Sequence, residues 1–224
     1  MKLFFSKIKK GLLAENAKEL EVMLPNEVML PNVKTSEDIE NKYITHKSKD
    51  SAKVKIIIVS DNHIKTDGLI KVLKYHGRDA DYFLHCGDSN LPYNHELMKY
   101  FVTVKGNTDY TQGYINEKIV RLETDEIIWI VHGHNHKVAF GVNNLLSSAS
   151  KLSCFPDIIL YGHTHRVDVQ MINRCLIINP GSISSPRDGV VRTYAELIVK
   201  PESFDVTIFN VKNHNIFKAF QFPR

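Results

Sequence analysis

Two aspartates, one asparagine and four histidines stand out in this chain because each falls in a short polar signature that follows an apolar run. They are Asp61, His63, Asp88, Asn107, His132, His163 and His165. Carboxylate, amide and imidazole donors together suit borderline divalent metals such as Mn, Fe, Co, Ni or Zn. Seven donors are too many for one tetrahedral site, and they match two ions sharing a bridge. Two ions held about 3.5 to 4 Å apart grip an attacking hydroxide and a phosphoryl oxygen together. The Asp61 to His63 spacing suits an extended strand end, where residues i and i+2 point to one side, and the same reasoning applies to His163 and His165.

The elements that must position these residues alternate along the chain. Val54 to Val59 reads as a strand buried on both faces and runs into Ser60, Asp61, Asn62, His63. Gly68 to Tyr75 has helical spacing. Tyr82 to Leu84 leads to Gly87 and Asp88; a helix near His95 to Tyr100 and a strand over Phe101 to Val104 lead to Gly106, Asn107, Thr108, Asp109. Lys118 to Leu122 and Ile127 to Val131 flank Thr124 and Asp125 as a hairpin, ending in His132, Gly133, His134. A helix near Val142 to Leu152 precedes the strand Ile158 to Tyr161 and the run Gly162, His163, Thr164, His165. Val167 to Ile172, Leu176 to Ile178, Tyr194 to Val199 and Phe204 to Phe209 complete the expected strands. Polar signatures at strand ends belong in the crevice where open α/β sheets bind ligands. The expected fold is α/β, a layered sandwich of two mixed β-sheets flanked by helices.

In this order the five signatures resemble those of the calcineurin-like metallophosphoesterases, and the likeness is to the small, capless bacterial and archaeal phosphodiesterases over roughly residues 53 to 210. Asn179, Pro180, Gly181, Ser182 adds a loop typical of that subgroup. The resemblance implies that Asp61, His63 and His165 hold one metal, that Asn107, His132 and His163 hold the other, and that Asp88 bridges them. It also implies hydrolysis of a phosphate ester, a diester above all, by a metal-bridging hydroxide, with manganese the favoured ion. Asp88, His134 and Asp109 are the residues assigned to catalysis, Asp109 as one that orients a neighbour through hydrogen bonds. Larger relatives carry His beside the motif's Asn; here Thr108 stands there, which leaves His134 or water to protonate the leaving group. His85, His95 and His136 lie near the motifs but outside their positions and read as structural or solvated.

The rest of the chain narrows the setting. At 224 residues, 43% hydrophobic and 24% charged, it supports one substantial core, and a formal charge of +4 suits an anionic substrate without forming a dense basic stripe. A nuclease or nucleic-acid binder is therefore disfavoured. Cys86, Cys154 and Cys175 cannot all pair within the chain, so a reducing, cytoplasmic setting is expected. No apolar run is long enough to span a membrane. Residues 1 to 51 read as an N-terminal extension to a phosphoesterase domain over 52 to 224. Phe4, Phe5, Ile8 and Leu12 share one helical face opposite Lys2, Lys9 and Lys10, which suits weak contact of residues 1 to 14 with an anionic membrane surface or docking on a protein. The hexapeptide Glu21 to Asn26 repeats at Glu27 to Asn32, and its prolines make a tether. The competing function is a metal-binding interaction scaffold: a retromer subunit is similar in fold, carries a degraded cage and works by binding partners.

Overall fold

The computed structural model describes residues 53 to 187, 189 and 191 to 224. The expected N-terminal helix and tether lie outside the described residues.

Two β-sheets form the body. The first has the order β11-β10-β9-β1-β2-β3, built from β1 (Val54–Val59), β2 (Tyr82–His85), β3 (Val102–Thr103), β9 (Thr193–Val199), β10 (Ser203–Asn210) and β11 (Ile216–Pro223). The second has the order β4-β5-β6-β8-β7, from β4 (Glu117–Arg121), β5 (Ile127–Val131), β6 (Ile158–Leu160), β7 (Val167–Ile172) and β8 (Cys175–Pro180). Both are mixed: β1, β2 and β3 run parallel, as do β5, β6 and β8, while the flanking strands are antiparallel.

The period of two along a strand sends alternate residues to opposite faces. Ile56 and Ile58 of β1, Leu84 of β2 and Leu197 of β9 meet Ile128 and Ile130 of β5, Leu160 of β6 and Ile178 of β8 in one buried cluster between the sheets. The other faces are covered too. Trp129, Val131, Ile159 and Ile177 pack with Leu145 and Ala149 of α2 (Asn143–Ala149), and α1 (Asp67–His76) reaches β9 through a 2.9 Å hydrogen bond between His76 Nε2 and Tyr194 Oη. Burial on both faces explains why β1 and β5 read as continuous apolar runs.

Three expectations are corrected here. The stretch His95 to Tyr100 is not a helix; it contains one 3-10 turn, Met98–Tyr100, since a segment this short cannot repay helix nucleation. The third strand contracts from Phe101 to Val104 to Val102–Thr103. β11 was not expected as a strand. Its register with β10 shifts at Ile208/Phe209, and only Phe220 and Phe222 of its residues pack against the core, so the alternation is too brief to read.

Candidate metal centre

The crevice lies at the carboxyl ends of the parallel strands of both sheets. β1 delivers Asp61 and His63, β2 delivers Asp88, β3 delivers Asn107, β5 delivers His132, and β6 delivers His163 and His165. The delivery is not by extended backbone as the i, i+2 spacing suggested. Asp61, His63, Asp88, His163 and His165 have φ of 56°, 45°, 56°, 68° and 57°, all left-handed. Such non-glycine residues are uncommon and cost energy that surrounding contacts must repay, and they cluster at functional sites. Here they curl the chain so that successive side chains turn back into one crevice.

The donor atoms converge in two overlapping groups. His165 Nε2 lies 3.3 Å from Asp61 Oδ1 and 3.1 Å from His63 Nε2. His132 Nε2 lies 3.3 Å from Asp88 Oδ2, 3.9 Å from Asp61 Oδ1 and 3.1 Å from Asn107 Oδ1, which is itself 2.8 Å from His163 Nδ1. Asp88 Oδ2 also approaches His63 Nε2, at 4.0 Å, so it faces both groups. Asp61 and His132 are buried and Asn107 is exposed, so the crevice is closed at its base and open at its rim.

Protons and lone pairs show what this crevice accepts. His165 Nδ1 donates to the Ser185 carbonyl at 2.7 Å, His132 Nδ1 to the Cys86 carbonyl at 2.7 Å, and His63 Nδ1 to Asn90 Oδ1 at 3.0 Å. In its neutral form each of these rings therefore turns an Nε2 lone pair inward, toward other lone pairs and toward Asp61 Oδ1, which is buried without a hydrogen-bond partner. Acceptors pointed at one another demand a cation between them. The same crowding shows in protonation. Burial opposes charge on His132 and His165, but the carboxylates of Asp88 and Asp61 hold both above the usual imidazole range. Burial likewise opposes ionisation of Asp88, yet His132 and the Thr108 amide hold it well below the usual carboxylate range. Carboxylates that favour positive charge on the neighbouring His132 and His165 rings suit a divalent cation.

The supporting residues are as specific. Asp109 is buried and accepts the amides of Asp88 at 2.9 Å, Gly106 at 2.8 Å and Asn90 at 2.6 Å, which ties two motif loops together and occupies both its oxygens. That is a positioning geometry. His134 begins a 3-10 turn beside the site, its ring centroid 5.4 Å from that of His132 and 6.2 Å from that of His163. Burial and those two neighbours lower its pKa, which keeps it neutral. His85 is buried, accepting the Gly87 amide at Nδ1 and hydrogen-bonded at Nε2 to Asn62 Oδ1 2.9 Å away, so burial holds it down to about 4. His136 packs edge-on to Trp129, and His95 accepts the Leu97 amide; neither joins the two groups. Ser182 and Ser184 of the loop after β8 donate to the Asp61 carbonyl at 2.8 and 2.9 Å, fastening that loop beneath the site. Sequence reasoning missed Asn90, which aims His63 and bonds Thr108, and the two backbone carbonyls that aim His132 and His165. Carbonyls carry no sequence signal, and an Asn two residues after Asp88 does not stand out from other loop residues until its contacts are seen.

Fold and crevice together define a metallophosphoesterase domain. Residues 54–202 match the model of the calcineurin-like phosphoesterase superfamily domain, and the chain belongs to that superfamily. It is 30% identical over 161 residues to the probable metallophosphoesterase YsnB of Bacillus subtilis, covering 72% of this chain and 94% of that protein. A phosphodiesterase of Methanocaldococcus jannaschii is 26% identical, over 61% of this chain and 89% of its own. Among solved structures, a conserved uncharacterized protein from Streptococcus pneumoniae, described as a predicted phosphoesterase, superposes with a TM-score of 0.72 at 30% identity, covering 77% of this chain and 99% of that one. No helix among the described residues is long and apolar enough to cross a membrane, and Cys86, Cys154 and Cys175 are all free thiols.

Proposed function

We propose that this chain is a two-metal phosphodiesterase, with Asp61, His63 and His165 holding one ion, Asn107, His132 and His163 the other, and Asp88 between them. The observation that carries the reading is the inward convergence of imidazole lone pairs on the carboxylates of Asp61 and Asp88, the second of which faces both groups. A bound pair of divalent ions, manganese first and zinc, iron, nickel or cobalt as alternatives, would supply an acidified water and polarise the phosphoryl group. Asp88 contributes an anionic oxygen between the two groups, and Asn107 contributes a neutral one at the open rim, where an ester would enter. Asp109 and Asn90 hold Asp88, Gly106 and His63 in place. A cytoplasmic setting follows from the three free thiols in this reading. The scaffold alternative calls for a broken cage, and here the set of seven donors is complete.

Leaving-group protonation decides which esters react. Thr108 donates its hydroxyl to Asn90 Oδ1 at 3.0 Å and is no acid near neutral pH, and His134 is held neutral. After reconstitution with Mn, bis(4-nitrophenyl) phosphate, whose leaving group needs no proton, is expected to turn over at least about a hundredfold faster than a dialkyl phosphate, since general acid catalysis contributes about that factor. Absence of metal-dependent turnover of either ester would refute the function. Equal rates for both would leave the function standing and show that another group protonates the leaving oxygen.

A further inference from the structure

The loop after β8 does more than support Asp61. Its hydrogen bonds run from Ser182 and Ser184 to the Asp61 carbonyl, from His165 Nδ1 to the Ser185 carbonyl, and from the Arg187 amide to the His165 carbonyl at 3.1 Å. This anchors Arg187 one backbone hydrogen bond from a proposed metal ligand. Its side chain is exposed, and no described carboxylate pairs with it. By contrast, Arg192 and Arg224 are paired with Asp67 and Glu126. We infer that Arg187 is a phosphate-binding residue, its guanidinium gripping the non-bridging oxygens of the ester at the rim of the metal crevice. This deepens the phosphodiesterase reading and rests on it.

The electrostatics point the same way. The Arg187 charge lies close enough to be felt at both His163 and His165, one from each proposed metal group. A fixed cation felt by ligands from both proposed metal groups weakens the crevice for metal, so it has no use as part of the cage. It becomes favourable once an anion lies between it and the ions. A guanidinium suits that task because its planar fork makes paired, charge-assisted hydrogen bonds to phosphate oxygens, whereas an ammonium offers a point charge.

The full chain, reconstituted with Mn, tests this with inorganic phosphate as the probe. In Arg187→Ala, phosphate should bind at least about tenfold more weakly by calorimetry, and kcat/KM for bis(4-nitrophenyl) phosphate should fall about thirtyfold, with metal content unchanged. Arg187→Lys should recover only part of the phosphate affinity. Phosphate binding within twofold of the native chain, with metal retained, would overturn the proposal, as would loss of metal in Arg187→Ala, which would make the residue structural. Arg187-dependent phosphate binding in a chain that hydrolyses no ester would uphold the anion site and sink the phosphodiesterase reading instead.

Discussion

Asp88→Asn is expected to lower metal-dependent turnover of an activated phosphodiester by at least about a thousandfold, corresponding to about 4 kcal/mol of lost transition-state stabilisation. The substitution is nearly isosteric. Its carbonyl oxygen can keep the 2.8 Å bond that Asp88 Oδ1 accepts from the Thr108 amide, and the Asp109 carboxylate still holds the backbone N–H of residue 88 at 2.9 Å. What changes is the other atom. Asp88 Oδ2, between His132 Nε2 at 3.3 Å and His63 Nε2 at 4.0 Å, becomes an NH2 group aimed where positive charge is to sit. The negative charge shared by the two groups disappears as well. Circular dichroism and the melting temperature should stay close to those of the native chain, which separates this loss from unfolding. If the Asp88→Asn chain kept a tenth of native turnover, Asp88 would not be the bridge.

Gly106→Ala should be nearly as damaging, for a reason of space alone. A methyl group on Gly106 would fall on Asp88 Oδ1 and on the Asp88 backbone nitrogen, closer than any real contact. Neither can yield cheaply, because Asp88 is pinned by Thr108 and Asp109, and Gly106 itself donates to Asp109 at 2.8 Å. The β2 and β3 loops must therefore separate, moving Asn107 away from His132. A destabilisation of about 3 kcal/mol is expected from overpacking, and a displacement of this kind costs about a hundredfold in rate. Thermal melting and turnover of the same preparation measure both. Native-like values for both would mean that these loops are looser than their hydrogen bonds imply.

Much of the site is legible in the sequence because each donor follows a strand whose apolar run is unmistakable, as with Ile56 to Val59 before Asp61 and Ile127 to Val131 before His132. The membership of the superfamily and the two-sheet layering are readable for the same reason. Local geometry is not. The i, i+2 spacing of Asp61 with His63 suggests extended backbone, whereas the structure uses left-handed residues at both, a conformation that side-chain type alone does not announce. Asn90 reads as an ordinary loop residue until its contacts to His63 and Thr108 are seen, and the carbonyls of Cys86 and Ser185 have no residue signature at all. β11 stays hidden because its inward alternation is confined to Phe220 and Phe222.

The central claim is a crevice that holds two metal ions, and metal stoichiometry tests it most directly. The purified full chain should be stripped with chelator, reconstituted with Mn or Zn, freed of excess ion and analysed for metal per chain. Two ions per native chain are predicted, with ligand loss in His163→Ala reducing that number while the fold is retained. One ion or none in the fully reconstituted native chain would contradict the two-metal centre.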